Sequence, residues 1–211
     1  MDYKETINKT KQKLITCEAK IHRDDTNIII TKEMLQYYEE DYKISVNKDV
    51  FKFYNSLNGI ELDWSLKTKT SLLTGFFNIH SFSEMIENDT EGKLWEEWYE
   101  ESDIKEIKKH RIFETIVGTD YYITIKFLKN KYKLYYVPEG SVNNGGSKKL
   151  QEIPLTISQY FKIINSCFGI HMIRHHLHEI KFYENPFQVI PELKALKDIF
   201  PEFKIPKIKL P

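Results

Sequence analysis

This 211-residue chain lacks long apolar runs, and it lacks a surplus of charge of either sign. No stretch of 18 apolar residues occurs, and the first residues, MDYKETINKTKQKL, are polar throughout. We therefore expect neither a membrane span nor a signal peptide, and we predict a cytoplasmic location. Lys plus Arg equals Asp plus Glu at 31 each. The overall charge therefore gives no reason to expect binding to a membrane surface or direct binding to nucleic acid.

Cysteine and catalytic motifs are also scarce. Cys17 and Cys167 are the only two cysteines, and neither belongs to a CxxC pattern, so a disulfide framework and a thiolate metal site are not predicted. Cys167 lies in an apolar segment, which favours an ordinary core position. The chain has no Gly-x-Ser-x-Gly turn, and its NNGG segment lacks the Lys-Ser/Thr ending of a phosphate-binding loop. We predict no cofactor and no catalytic residue.

The clearest pattern lies in and just before FYNSLNGIELDW, residues 53–64. Its first part has helical spacing of apolar residues, which predicts one buried helix face: Val50, Phe53, Tyr54 and Leu57. Asn58 and Gly59 are expected to end this helix, because both residue types tolerate a left-handed backbone. Apolar residues then alternate with acidic ones, which predicts a strand with one solvated face: Ile60, Leu62 and Trp64.

Other segments predict further elements. Residues 3–20 fit a surface helix packed on the main body, and Thr31 is a candidate cap for a helix that extends to Tyr42. Capping boxes, in which a Ser or Thr is followed three residues later by Glu or Gln, begin helices at Ser81 and Thr156. The alternating segment YYITIKFLKNKYKLYYV predicts a β-hairpin that turns at Asn130. From residue 185 onward, five of the seven prolines indicate an extended tail.

The order of these segments resembles the SUKH superfamily, which includes the yeast Smi/Knr-type cell-wall regulator and many bacterial immunity proteins against polymorphic toxins. The resemblance covers roughly residues 31–170. It rests on the order of short motifs, which are matched here by Asn58, Gly59 and Trp64 after the first helix, and by Leu155, Thr156, Tyr160 and Phe161 at the last one.

This resemblance implies an α+β fold, with a central, mainly antiparallel sheet and helices packed around it. It also implies a protein-binding role without catalysis, typically the neutralisation of a cognate toxin that is often a nuclease. We expect an N-terminal helical extension over residues 1–30, a SUKH-like domain over 31–170, and a C-terminal helix and Pro-rich tail over 171–211 packed on that domain. An acidic insertion near residues 88–110 departs from the usual family pattern.

The acidic segment is the predicted partner-binding site. Between Glu84 and Glu106 the sequence has ten acidic residues and two lysines, a local net charge of minus eight. A solvated helix face is one interpretation. The alternative is a surface that engages a basic partner, such as the phosphate-binding face of a nuclease, through these residues: Trp95, Glu96, Glu97, Trp98, Glu100 and Glu101.

Histidines form the other candidate cluster. In HMIRHHLHEI, His171, His175 and His178 would share one face of a continuous helix, which is compatible with a metal site. Because an apolar stripe occupies the other side of that helix, we favour a solvated polar face or a pH-sensitive contact over metal binding. The main hypothesis is an immunity protein. The alternatives are a regulatory scaffold for an endogenous protein and, from another class, a histidine-based metal-dependent enzyme.

Overall fold

A single antiparallel sheet forms the centre of the computed structural model, which describes residues 1–69, 71–87, 105, 108–118, 121–137, 150–190, 193–208 and 210. The order of its seven strands in the sheet is their order in the chain. The strands are β1 (Lys20–Asn27), β2 (Asn58–Lys67), β3 (Leu72–Ile79), β4 (His110–Ile116), β5 (Tyr121–Leu128), β6 (Lys131–Val137) and β7 (Gln151–Ile153).

Helices pack around this sheet. Those of the described residues are α1 (Tyr3–Thr16), α2 (Lys32–Asp41), α3 (Lys48–Ser56), α4 (Phe82–Glu87), α5 (Ile157–Ser166), α6 (Met172–His176), α7 (Ile180–Glu184), α8 (Pro186–Val189) and α9 (Leu193–Ile199). The predicted α+β class, with a central antiparallel sheet and surrounding helices, is confirmed. None of the described helices is long and apolar enough to cross a bilayer.

Three helices, α1, α3 and α5, build the main core layer through aromatic contacts. The ring of Tyr3 lies 4.8 Å from that of Phe53 and 5.3 Å from that of Phe161, and all three side chains are buried. Edge-to-face pairs of this kind add to the free energy of folding beyond the apolar area they bury. Thr156 begins α5 with the predicted capping box, in which its side chain and that of Gln159 accept from each other's backbone N–H.

The helix and the strand predicted for FYNSLNGIELDW are confirmed, but the predicted stop is wrong in detail: the extended Leu57 caps the helix, and Asn58 and Gly59 are the first two residues of β2. Helix α3 ends at Ser56, and the alternating residues of β2 are buried on one face of the sheet. Gly59 has φ +78°, and a Cβ atom there would lie 2.6 Å from the backbone nitrogen of Ser81, so glycine is required both for conformation and for space. Trp64 is buried and donates from Nε1 to the carbonyl oxygen of Phe168 at 2.7 Å.

The other predicted elements have mixed outcomes. The Thr31 cap and the hairpin of β5 and β6, with Asn130 at φ +63°, are as predicted, and α1 forms as predicted but ends at Thr16. The extended tail predicted from residue 185 is wrong over its first part, where α8 and α9 form, because a proline at the first position of a helix does not disturb it. Residues 1–30, expected as a helical extension, contain a strand as well, because β1 pairs with β2 along most of its length. That strand was missed because its sequence, KIHRDDTN, is polar and almost wholly exposed.

The sheet is nearly divided between β3 and β4, which share one residue pair, Ile79 with Glu114. The chain after α5 fills the opening. Gly169 accepts a hydrogen bond from the backbone N–H of Phe76 at 3.0 Å, and at φ +73° its missing side chain leaves room for the Phe76 carbonyl group. Residues 168–174 therefore take the place of a neighbouring strand and bring Arg174 to the centre of the molecule.

Candidate partner-binding surface

An exposed apolar segment precedes and begins helix α2. Ile28 and Tyr37 are 86% and 62% exposed, and Ile29 and Met34 are also exposed. We call these four residues the apolar patch. They lie within ten consecutive residues, and α2 itself has no buried residue. Clustered exposed apolar side chains are typical of protein-binding surfaces, whereas single ones are common everywhere.

The backbone beneath the patch is held rigidly. Asn58 donates from its side chain to the carbonyl oxygen of Ile28 at 2.6 Å, and Asn55 donates to that of Ile30 at 2.7 Å. Ile30 points into the core and is 1% exposed. Because the chain is fixed on both sides, Ile28 and Ile29 are presented to solvent in a defined position. A preorganised surface of this kind loses less entropy when a partner binds.

Helix α2 is attached by its aromatic side chains. The ring of Tyr38 contacts that of Phe82 at 5.4 Å, and its hydroxyl group donates to Glu87 Oε1 at 3.2 Å. Burial, together with the nearby Glu87 carboxylate, raises the pKa of Tyr38, so this phenol remains a neutral donor. With Tyr38 turned toward the body, Met34 and Tyr37 lie three residues apart on the outward face of α2.

Helix α2, which carries two residues of the apolar patch, is acidic. Helix α2 has four acidic residues and one lysine, a net charge of minus three.

Asn58 also accepts a hydrogen bond from the backbone N–H of Phe82 at 2.8 Å, so the residue that holds Ile28 also fixes the start of α4. The predicted capping box at that start is present: Ser81 and Glu84 accept from each other's backbone N–H groups at 3.3 and 2.8 Å.

The sequence-predicted acidic site begins at this place. Glu87, the last residue of α4, contacts Tyr38 of α2. The residues named for partner binding lie outside the described residues: Trp95, Glu96, Glu97, Trp98, Glu100 and Glu101. The sequence contained a signal for the apolar patch, the run Ile28 to Ile30 followed by MLQYY. The patch was not predicted because an apolar run is more often buried than exposed.

The histidines do not share one continuous helix, so that part of the prediction is wrong. Helix α6 ends at His176, and the next helix begins at Ile180. His175 Nδ1 forms a 2.6 Å hydrogen bond with the hydroxyl group of Tyr136, and His178 stacks on the same ring. The stacking and the hydrogen bond give these imidazoles packing roles.

The expected solvated face is also wrong, because His171, His175 and His178 are all half-buried. His171 stacks on the ring of Phe76. Burial lowers the pKa of His175 to about 4, and the neighbouring His171 acts in the same direction. No group of three or more His, Cys, Asp or Glu side chains in the described part of the chain is arranged to hold a metal ion.

A buried network of Glu114, Tyr160 and Arg174 was missed entirely. Arg174 Nη2 lies 2.5 Å from Glu114 Oε1, both side chains are 0% exposed, and the Tyr160 hydroxyl group donates to the other carboxylate oxygen. Burial alone would lower the pKa of Arg174, but the Glu114 carboxylate raises it, so the guanidinium stays charged. Burial and the same carboxylate raise the pKa of Tyr160. Because all three side chains are buried, we assign the network a structural role and not contact with a ligand.

Comparison with family models, with curated proteins and with solved structures found no match to this chain. The likeness to the SUKH superfamily therefore rests on the order of the sequence motifs. The candidate binding surface rests on the geometry described above: a rigidly held apolar patch beside the start of a strongly acidic segment.

Proposed function

We propose that this protein is a non-catalytic, cytoplasmic protein-binding module of the SUKH type, and that it acts as an immunity protein. In this role it binds a cognate toxin domain, such as a nuclease, and blocks it by occlusion. The observation that carries the proposal is the exposed apolar patch on a backbone fixed by Asn55 and Asn58. The motif order that resembles SUKH immunity proteins supports the choice of partner class.

The patch has the composition of an interface core. Tyr and Met are enriched at the centres of protein interfaces, where a few residues supply most of the binding free energy. Tyr37 offers a large ring with few rotatable bonds, and Met34 can adapt to an irregular partner surface. Two fixed isoleucines precede them in the chain, so a partner can bury apolar side chains from both the β1–α2 connection and α2 itself.

Charge complementarity favours a basic partner. Helix α2, which carries Met34 and Tyr37 of the patch, has a net charge of minus three, and its Tyr38 contacts Glu87 of the segment 84–106, whose sequence has a net charge of minus eight. Complementary charge raises association rates and suppresses the binding of acidic partners. A nuclease active-site face, which has to attract phosphate groups, presents the required positive charge.

The test combines protection and binding. The chain is co-expressed with the C-terminal domain of the toxin encoded beside its gene, and the same pair is assayed by calorimetry with the double variant Met34→Ala/Tyr37→Ala. We expect protection of the host, one-to-one binding, and a rise in Kd of more than about tenfold in the variant, because truncating an interface hot spot costs about 2 kcal/mol or more. Leu72→Ala is the matched control, since Leu72 is 64% exposed on β3 and should leave Kd unchanged.

Three results would contradict parts of this proposal. Tight binding that the double variant leaves unchanged would remove the apolar patch as the interface. Neither protection nor binding, with a toxin domain shown to be active, would remove that toxin and favour the second hypothesis, a regulatory scaffold for an endogenous protein. Stoichiometric metal in the purified protein would favour the third hypothesis, a histidine-based metal-dependent enzyme.

A further inference from the structure

A cavity of about 730 Å³ lies beneath residues 201–208, the irregular chain after α9, which we call the C-terminal tail. Its walls are mainly apolar and come from α7, α8 and the tail, with Ile163 of α5 also in the lining: Phe182, Phe187, Phe203, Ile205 and Ile208. The volume falls within the range of about 300–1,000 Å³ that is typical of small-molecule sites. The apolar patch does not contribute to it, so this cavity is independent of the proposed partner interface.

The tail is anchored before it covers the cavity. The ring of Phe200 stacks on that of Phe168 at 4.0 Å, and Glu202 forms a 3.3 Å ion pair with Lys13 of α1. Phe203 is buried, and its ring contacts that of Phe187 at 6.1 Å across the site. These contacts fix the first part of the tail, so the cavity is formed in the unbound protein.

Prolines help to keep the cavity open. Pro186 occupies the first position of α8, and Pro201 and Pro206 belong to the tail. Each fixes its own φ near −65° and removes a backbone donor, which prevents the tail from pairing as a continuous strand or closing into a helix. The tail therefore spans the gap as irregular chain and leaves space below it.

Lysines give the cavity a positive rim. Lys197, Lys204 and Lys207 line it, and Glu184 is the one carboxylate among the described lining residues, so the net charge of the lining is plus two. Lys197 Nζ lies 5.9 Å from the ring centroid of Phe187, which directs one ammonium group toward an aromatic wall. Lys204 and Lys207 are exposed residues of the lining.

We propose that this cavity binds an anionic amphiphile, a molecule with an acyl or aromatic body and a single carboxylate. The apolar walls take up the body, and the lysines of the rim neutralise the head group. Apolar contact alone would accept a neutral or cationic molecule of the same shape, so selectivity for the anion follows from the rim. Each methylene buried in the cavity strengthens binding about fourfold, because its transfer from water contributes about 0.8 kcal/mol.

The test uses three probes of equal length, sodium decanoate, 1-decanol and decyltrimethylammonium, with calorimetry on the full chain. We expect decanoate to bind most tightly and hexanoate to bind far more weakly than decanoate. In the double variant Lys204→Gln/Lys207→Gln, we expect decanoate affinity to fall about fivefold, as for two exposed ion pairs, while decanol affinity stays constant. Lys194→Gln is the matched control, because Lys194 is an exposed lysine of α9 that does not line the cavity.

Location is tested with amide NMR shifts, which decanoate should change at residues 182–187 and 203–208. Equal binding of the cationic probe would overturn the proposal, and so would decanoate affinity that is the same in the double variant. The absence of binding by all three probes, with a folded protein confirmed by its NMR spectrum, would overturn it as well. None of these outcomes depends on the toxin-binding role.

Discussion

The buried network predicts a large loss of stability when one of its charges is removed. In Arg174→Met, the Glu114 carboxylate loses its partner at 2.5 Å while it remains 0% exposed. Three backbone carbonyl oxygens also lose the donor that the guanidinium supplies, those of Phe76 at 2.9 Å, Gly169 at 3.1 Å and Ile170 at 3.3 Å. Methionine has a similar length, so the variant tests charge and hydrogen bonding more than volume.

The expected loss is about 3–5 kcal/mol, the usual cost of leaving one member of a buried ion pair without its partner. A domain of this size has a free energy of unfolding of about 5–15 kcal/mol, so the variant should still fold but unfold at a much lower urea concentration. In the double variant Arg174→Met/Glu114→Gln, no charge is left in the core. It should therefore be less destabilised than the sum of the two single variants, by about 0.5–3 kcal/mol.

Urea unfolding followed by circular dichroism measures these differences as shifts in midpoint at constant slope. Lys133→Met is the control, because it breaks an ion pair with Glu152 at a half-exposed site, 2.7 Å apart, which should cost about 0–1 kcal/mol. If Arg174→Met cost no more than this control, or if the double-variant cycle were additive, the inference that the ion pair of Arg174 and Glu114 stabilises the fold would be refuted.

Three further predictions concern pH, the apolar patch and the acidic segment. His175 has a pKa of about 4 in the folded protein against about 6.5 when unfolded, so the unfolded chain binds the proton first. Stability should fall as pH drops from 6.5 toward 4, and His175→Gln should flatten this loss in urea midpoints measured across that range. Asn58→Ala removes hydrogen bonds to both Ile28 and Phe82, so it should lower the free energy of unfolding by about 1–3 kcal/mol in the same assay and also weaken partner binding. Unchanged stability together with unchanged binding would contradict the anchoring role of Asn58. Reversing Glu96, Glu97, Glu100 and Glu101 to Lys should slow association with a basic partner at low salt in stopped-flow measurements, and an unchanged rate would refute the acidic interface.

Periodicity and capping predicted much of the fold correctly because those signals are local. The spacing around Phe53, the alternation of β2 and the capping box at Thr156 each depend on a few neighbouring residues, and each is confirmed. Strand β1 was not predicted because its residues are solvated on both faces, so it has no apolar alternation. Its pairing with β2 depends on a partner about 40 residues away in sequence.

The buried network shows a different limit of sequence reasoning. Arg174 follows Ile170 by four residues and Ile173 by one, a spacing that is compatible with a position on the buried side of a helix. Its charge argued for the surface. Arg174 is buried because it pairs with Glu114, 60 residues earlier in the chain, and no local pattern connects the two residues. The exposure of Ile28 likewise has no local signal, since the bonds that hold its segment come from Asn55, Asn58 and the carbonyl oxygen of Tyr54, 24 to 30 residues later in the chain.

The single residue pair between β3 and β4 also has a consequence for folding during synthesis. Strands β1 to β3 can pair as soon as they leave the ribosome, but the outer edge of β3 at Phe76 is completed by Gly169 and Arg174, almost a hundred residues later. Until then, that edge carries free backbone groups beside apolar side chains, which is the condition in which nascent chains associate wrongly. Closure of the sheet therefore requires the chain to emerge as far as residue 174.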